Sequence, residues 1–179
     1  MDRLLACGEC DLCKSSTIPL LHYLCEEGVD HGLRAALVQK YVLGQNGKKA
    51  RDNQKTEILC IERCRDFLKP ETGKMAIVLP DGILTNSSLQ YVRDFLMQRC
   101  QILAVVSLPG FAFAHFGAGV KSSLVFVRRK GGEEKIGRYK IFMAIAEHIG
   151  YDATGRKDVR NDLDKIVSAY HRFIERYAI

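Results

Sequence analysis

Length, composition and charge narrow the class of protein to which this chain can belong. It has 179 residues, 47% hydrophobic and 27% charged, which excludes a disordered chain and fits one ordinary globular domain, or one domain with an appendage. The net charge of +6 suits a polyanionic partner. Because 21 acidic residues are interspersed with 27 basic ones, a solvated, slightly basic surface is the alternative.

The sequence gives no sign of membrane insertion or export. It has no run of about 20 uninterrupted apolar residues, the length that a transmembrane helix needs. Its first residues, MDRLLACGECDLCK, lack the basic and then apolar arrangement of a signal peptide. We therefore expect a cytoplasmic protein that does not contact a membrane.

The first 50 residues are predicted to form a cysteine-containing segment that is helical or irregular. Its cysteines Cys7, Cys10, Cys13 and Cys25 have the spacing Cys-x2-Cys-x2-Cys-x11-Cys, and four thiolates can hold zinc tetrahedrally. The triple spacing also occurs in iron–sulfur proteins, although the usual proline after the last cysteine is missing. Four unligated thiols are the other interpretation, so a structural zinc site is one of three alternatives here.

Residues 51–150 carry a regular alternation of helical and strand patterns. Helical periodicity predicts two helices, 56–70 and 86–100. Short apolar runs predict four strands, 74–80, 101–109, 120–129 and 139–147, and the first of these reads as a strand that is buried on both faces. Asp81 and Gly82 are predicted to turn the chain after the first strand.

These elements predict an α/β fold, a partial doubly wound, Rossmann-like sheet with an antiparallel edge hairpin and flanking helices. A complete doubly wound sheet usually has five or more strands, so this sheet is short by about half. Residues 151–179 are predicted to form a C-terminal loop and an amphipathic helix. The apolar face of that helix carries Leu163, Ile166, Val167, Tyr170 and Ile174.

The connection between the second and third predicted strands is unusually apolar. Residues 109–123 read PGFAFAHFGAGVKSS, although connections between strands are normally polar and phenylalanine is usually buried. One interpretation is a surface that receives a flat molecule. The other is that the phenylalanines plug the end of the sheet.

Two long blocks of the sequence carry a family resemblance. EILCIERCRDFLKPETGKMAIVLPDGILTNSSLQYVRDFL and QILAVVSLPGFAFAHFGAGVKSSLVFVRRK are similar to the modification subunit of type I restriction–modification systems, which are N6-adenine DNA methylases. HIGYDATGR at 148–156 resembles the segment that follows the catalytic sheet of that family, and the likeness extends over about residues 38–165. It implies a methyltransferase sheet in which KMAIVLP is the fifth strand, QILAVVSL the sixth and LVFVRR the antiparallel seventh.

The resemblance also implies two motifs that this sequence does not contain. In the family, S-adenosylmethionine lies at a glycine-rich turn after the first strand, and an Asn-Pro-Pro-Phe or Asn-Pro-Pro-Tyr motif follows the fourth strand. No such strand and glycine turn precede Thr56, and none of the four prolines, Pro19, Pro70, Pro80 and Pro109, follows an asparagine. We therefore expect the C-terminal half of a methylase domain, inactive alone, with no catalytic or cofactor-binding residue. S-adenosylmethionine would belong to the complete enzyme.

The resemblance places the target adenine at the loop between the sixth and seventh strands. By position, Phe113 is the best match for the aromatic that packs against a flipped-out adenine, and Phe116 is the second choice. The flexible glycines Gly117 and Gly119 would let the backbone approach DNA, and Lys121 would contact a phosphate.

The expected partners follow from the same resemblance. They are DNA, together with specificity and restriction subunits or a complementing methylase half. Because the strand 74–80 would lack its inner neighbour, we also expect a homodimer through the exposed sheet edge, aggregation, or coverage of that edge by residues 1–50.

The alternative function is a non-catalytic, zinc-stabilised DNA- or protein-binding module that reuses a methylase-like sheet. The sequence leaves the DNA target open. It also does not distinguish a natural split gene from a remnant or from a mis-assigned gene start.

Overall fold

The computed structural model describes residues 31–52, 54–132 and 134–177. The chain forms two compact units, the first ending at Phe67 and the second beginning at Leu68. The predicted division at residues 50 and 150 stays a prediction. Among the described residues, no helix combines the length and the apolar character needed to cross a bilayer.

The described part of the first unit consists of short elements around two helices. Helix α1 spans His31–Val38, a 3-10 turn spans Val42–Gly44, strands β1 and β2 span Gln45–Asn46 and Lys49–Ala50, and helix α2 spans Thr56–Asp66. The segment predicted to be helical or irregular thus contains one described helix, and strands β1 and β2 form a small hairpin after it. Its Gly47 has φ 63°, a conformation that favours glycine.

A small core and one buried carboxylate hold these elements together. Leu37, Val38, Tyr41 and Leu59 form a buried apolar cluster. Glu62, only 6% exposed, accepts hydrogen bonds from the backbone N–H groups of Val42 and Leu43, at 2.9 and 2.8 Å. Charge-assisted bonds of this kind offset the cost of burying a carboxylate, so Glu62 fixes the 3-10 turn on helix α2.

The second unit is built on a four-stranded mixed sheet. Its elements in chain order are β3 Lys74–Pro80, α3 Asp81–Thr85, α4 Gln90–Arg99, β4 Cys100–Ser107, β5 Ser122–Arg129 and β6 Phe142–Ile145. The spatial order is β3-β5-β4-β6, with β5 antiparallel to both neighbours and β6 parallel to β4. The predicted α/β class and antiparallel hairpin are confirmed, and β5 lies inside the sheet. Asp81 and Gly82 open a short helix rather than a simple turn.

Aromatic side chains join the sheet to the C-terminal helix α5, Leu163–Tyr177. Phe142 of β6 contacts Tyr170 and Phe173, with ring centroids 5.3 and 5.5 Å apart, and Phe126 of β5 stacks on Tyr170 at 6.4 Å. Edge-to-face and offset rings at these separations attract one another beyond simple area burial. The predicted amphipathic helix is therefore confirmed, and its aromatic face contacts β5 and β6.

The segment between β6 and α5 is a β-hairpin rather than the predicted loop. Strand β7 spans Ile149–Tyr151 and strand β8 spans Lys157–Asn161. The turn between them is closed by Asp152, whose N–H donates to the Arg156 carbonyl at 2.9 Å. Gly155 has φ 82° in this turn, which explains why a glycine is needed there.

Strand β3 forms one edge of the described sheet. Its Met75, Ile77 and Leu79 are partly or fully buried, whereas Ala76 and Val78 on the other face are exposed, Val78 to 43%. The prediction of a strand buried on both faces is therefore wrong, because side chains on one face of β3 are exposed. Within the described residues β3 also pairs with β5 alone. The described part of residues 1–50 adds no strand to this edge.

Candidate target-base site

Three chain segments meet at the edge of the sheet that is formed by strand ends and not by an outer strand. Strands β3 and β4 end there, and β5 begins there because it runs in the opposite direction. The N–H of Asp81 donates to the carbonyl of Lys121 at 2.9 Å, and the N–H of Leu108 donates to that of Ser122 at 3.1 Å. In open α/β sheets, ligands bind outside the carboxyl ends of the strands, which is this edge.

A carboxylate at this edge is bound on both of its oxygens. The hydroxyl of buried Ser123 donates to Oδ1 of Asp81 at 2.7 Å, and Nζ of Lys121 lies 3.7 Å from Oδ2. The side chain of Lys121 remains 55% exposed, so its ammonium group still faces solvent. Asp81 therefore joins β3 to the start of β5, and Lys121 supplies a positive charge at the mouth of the loop.

The loop between β4 and β5 is folded tightly by its own backbone. It contains a 3-10 turn, Ala114–Phe116, followed by Gly117 with φ 84°. The carbonyl of Phe113 accepts from the N–H groups of both Phe116 and Ala118, each at 3.1 Å. The loop therefore has a defined conformation despite its glycines.

The loop aromatics divide into half-buried and exposed rings. Phe111 and Phe113 are half buried and pack against the apolar cluster Leu108, Ala112, Ala146 and Ile149. Phe116 is 73% exposed, and Val120 close by in sequence is 60% exposed. Both interpretations of the loop thus have a counterpart in the structure, since two phenylalanines pack at the sheet end and one faces solvent.

The two glycines of the site are open to solvent. A Cβ atom added at Gly117 or Gly119 would meet no heavy atom within 4 Å. Another chain can therefore come close to the backbone at both positions, and the positive φ of Gly117 favours glycine there in addition.

Two residues that support the loop, His115 and Tyr151, are not among the site residues predicted from the sequence. The imidazole of His115 contacts the ring of Phe116, with centroids 3.8 Å apart, and meets the ring of Tyr151 edge-on at 5.0 Å. Tyr151 donates a hydrogen bond to the carbonyl of Ala112 at 2.9 Å. His115 and Tyr151 are far apart in the sequence, so local patterns do not reveal their contact. The one indication in the sequence is that Tyr151 lies beside a glycine in HIGYDATGR.

The predicted metal ligands Cys7, Cys10, Cys13 and Cys25 lie outside the described residues, so the zinc site stays a prediction. In residues 31–52, 54–132 and 134–177, no three histidine, cysteine or acidic side chains are grouped as a metal site would require. Cys60, Cys64 and Cys100 in that part of the chain form no disulfide bond.

The opposite edge of the sheet has a shallow depression in which the charged side chains of Arg128 and Glu134 form an ion pair. Arg128 donates to the Glu71 carbonyl at 2.7 Å and to the Glu134 carboxylate at 2.6 Å. The hydrogen bonds from Arg128 and from the Gly131 N–H lower the pKa of Glu134. These contacts lie where β5 ends, and the candidate site lies at the opposite ends of the strands.

Comparisons with known proteins agree with this fold. The chain superposes on a class I S-adenosylmethionine-dependent methyltransferase from Listeria monocytogenes with a TM-score of 0.52 and 15% identity, covering 79% of this chain and 38% of the other. A modification subunit of a type I restriction enzyme from Vibrio vulnificus YJ016 matches with a TM-score of 0.52 and 16% identity over 76% of this chain and 28% of that subunit. At these identities the likeness shows the fold.

A third solved structure, from a study of assembly and conformational transition of a type I restriction–modification system, matches at 22% identity with a TM-score of 0.50. That match covers 74% of this chain and 27% of the other. The chain thus spans well under half the length of each of these structures. No curated protein matches it significantly.

The model of the N-6 DNA methylase family matches residues 37–178, which is most of the chain. The mixed α/β fold of the described residues is shared with a class I methyltransferase of known structure. The chain therefore belongs to the N-6 DNA methylase family.

Proposed function

We propose that this chain carries the target-base side of an adenine-N6 DNA methyltransferase of the type I modification-subunit kind. The loop between β4 and β5 would receive a flipped-out adenine. The observation that supports this most directly is the exposed ring of Phe116, 73% accessible at the ligand-binding edge of a methylase-family sheet.

An aromatic is the appropriate group at such a position. Extruding a base from the duplex costs a few kcal/mol of lost stacking and pairing. Stacking of a base on a protein aromatic returns about 1–3 kcal/mol. Phe116 is the better placed ring for this contact, because its exposed face is free for a base, whereas Phe113 already packs against the Ala112 and Ile149 cluster.

The neighbouring groups suit the DNA backbone. Gly117 and Gly119 leave open space in which a sugar–phosphate chain can approach. Lys121, 3.7 Å from Asp81 and half exposed, can exchange that ion pair for a phosphate contact at small cost, because exposed ion pairs are weak. We propose that these three residues position the DNA and do not read its sequence.

The described residues do not fit the methyl donor. Helix α3 begins directly after β3 at Asp81, and the Asp81 carboxylate is occupied by Ser123 and Lys121. The sequence also contains no Asn-Pro dipeptide. We propose that residues outside this sequence bind S-adenosylmethionine and hold the adenine amino group, so that this chain alone transfers no methyl group.

The proposed partners are DNA and the other components of a type I system, namely a specificity subunit, restriction subunits or a complementing methylase half. A strand from that half would pair with the edge of β3 that has no neighbouring strand within the described residues. A homodimer through the same edge remains the expectation when no such half is present.

The experiment compares two DNA duplexes that differ only in the state of one adenine. In one, the adenine is paired, and in the other it faces an abasic site and is unpaired. Fluorescence anisotropy should show that the chain binds the second duplex about tenfold more tightly, because the cost of flipping an unpaired base is lower. Phe116→Ala should abolish this preference and leave binding to the paired duplex unchanged.

Phe113→Ala is the matched variant in the same loop. It should keep the preference for the unpaired adenine and lower the free energy of unfolding by about 1–3 kcal/mol, since a half-buried ring is removed. If Phe113→Ala instead removes the preference at unchanged stability, Phe113 is the base contact. If neither variant alters the preference, the loop is not the target-base site.

A further inference from the structure

We infer that the hairpin of strands β7 and β8 positions the exposed ring of Phe116, and that His115 and Gly155 carry this effect. The inference rests on the proposed function, in which Phe116 meets the target base. It adds a positioning device that lies about 30 to 40 residues further along the chain than the loop it supports.

The first step is the contact between His115 and Phe116. Their ring centroids are 3.8 Å apart and their planes are inclined at 42°. Because Phe116 is 73% exposed, few of its contacts restrict its rotamer, and the imidazole covers part of its surface. An ordered ring loses less conformational entropy when it binds a base, which raises affinity without any new contact.

The second step joins His115 to the hairpin. Its imidazole meets the ring of Tyr151 in β7 at 5.0 Å with an interplanar angle of 76°, the edge-on arrangement that aromatic pairs favour. It also lies against the turn, since a Cβ atom built on Gly155 would be 3.1 Å from Cδ2 of His115. A side chain at Gly155 would therefore push the imidazole away.

The third step is the rigidity of the hairpin itself. Oδ1 of Asp152 accepts hydrogen bonds from the N–H groups of Thr154 and Arg156, at 2.8 and 3.0 Å. The Tyr151 hydroxyl donates to the Ala112 carbonyl at 2.9 Å and so connects β7 directly to the loop. The loop and the hairpin are thus joined by a hydrogen bond, an edge-on ring contact and the apolar cluster that contains Ala112 and Ile149.

The test uses the preference for the unpaired-adenine duplex over the paired duplex, measured by fluorescence anisotropy with the full chain. His115→Ala should reduce this preference from about tenfold to about twofold, since an unsupported Phe116 loses part of its stacking. His171→Ala, at an exposed histidine on α5, is the matched control and should keep the wild-type preference.

A double-mutant cycle distinguishes positioning from direct contact. If His115 acts through Phe116, His115→Ala should change nothing further in the Phe116→Ala background. If it weakens binding equally in both backgrounds, His115 contacts the DNA itself and the inference is wrong.

A pair of glycine variants tests the hairpin. Gly155→Ala and Gly150→Ala impose similar backbone strain, at φ 82° and 84°, but a Cβ at Gly150 comes no closer than 3.6 Å to Asn161. Only Gly155→Ala should reduce the preference, by about threefold, with urea unfolding confirming that both variants fold. Equal effects of the two variants would overturn the role of Gly155.

Failure of the proposed function gives a different result. A wild-type chain with no preference for the unpaired adenine contradicts the target-base site itself. A wild-type preference that survives His115→Ala and Gly155→Ala contradicts only the positioning by the hairpin.

Discussion

The carboxylate of Asp81 lies at the edge of the sheet where ligands bind, yet its contacts are structural. It accepts a hydrogen bond of 2.7 Å from the hydroxyl of Ser123, a side chain that is only 3% exposed. A buried hydroxyl needs a partner, and Asp81 is the acceptor that the fold provides. The sequence predicts that Asp81 directly follows a strand. Local sequence patterns do not predict its contact with Ser123 in β5, because the two residues are far apart in the chain.

This contact gives a prediction at the scale of one residue. Asp81→Ala should lower the free energy of unfolding by about 1–3 kcal/mol, because Ser123 keeps a buried donor without its acceptor. Urea denaturation measures the change. Asp94→Ala, which removes an exposed hydrogen bond to Gln90, should change stability by no more than about 0.5 kcal/mol.

The double variant Asp81→Ala/Ser123→Ala should be less destabilised than the sum of the two single variants, because both partners of the bond are then gone. Strict additivity would show that the bond does not couple β3 to β5.

The loop aromatics show how far one sequence can locate a site. Its composition, three phenylalanines between two strands, was sufficient to single out residues 109–123. Composition alone does not separate Phe113 from Phe116, and the resemblance favours Phe113 by position. The proposal of Phe116 rests on burial, which depends on the tertiary contacts of Ala112 and Ile149.

At the scale of elements, the hairpin of β7 and β8 was the part that sequence patterns missed. Its strands have three and five residues, too short to show a reliable alternation of apolar and polar positions. The turn signal was present in Asp152 and Gly155, but it reads equally as a loop. Helices α2 and α4 were predicted because each is long enough to show helical periodicity.

The turn of this hairpin should respond to acid. Hydrogen bonds from the Thr154 side chain first, and then from backbone N–H groups, hold the pKa of Asp152 below its ordinary value. A pKa lower in the folded than in the unfolded chain means that the carboxylate stabilises the turn above about pH 4. This contribution is lost as the pH falls through the folded-state pKa.

We therefore expect amide exchange at Gly155 and Arg156 to accelerate as the pH is lowered below about 4, after correction for the intrinsic rate. Thr154→Ala should raise the pKa of Asp152, as measured by NMR titration of its carboxyl carbon. Thr85→Ala, whose hydroxyl donates only to a backbone carbonyl, is the control. An Asp152 pKa that is unchanged in Thr154→Ala would contradict the assignment.

At the scale of the whole molecule, periodicity predicts the elements, and the family resemblance implies that the last of three strands is antiparallel. Nothing in the apolar runs shows that β5 inserts between β3 and β4, because strand order depends on long-range pairing. The resemblance implied a fifth, a sixth and an antiparallel seventh strand, and the structure has this hairpin. Within the described residues, β3 is an outer strand of the sheet and pairs with β5 alone.

The central claim is that this chain holds the target base and leaves the methyl donor to residues outside its sequence. Isothermal titration of S-adenosylmethionine into the purified chain, with the unpaired-adenine duplex present, tests it most directly. We predict no saturable heat from the donor, although the chain binds that duplex. Saturable, stoichiometric binding of S-adenosylmethionine by the chain would contradict the account.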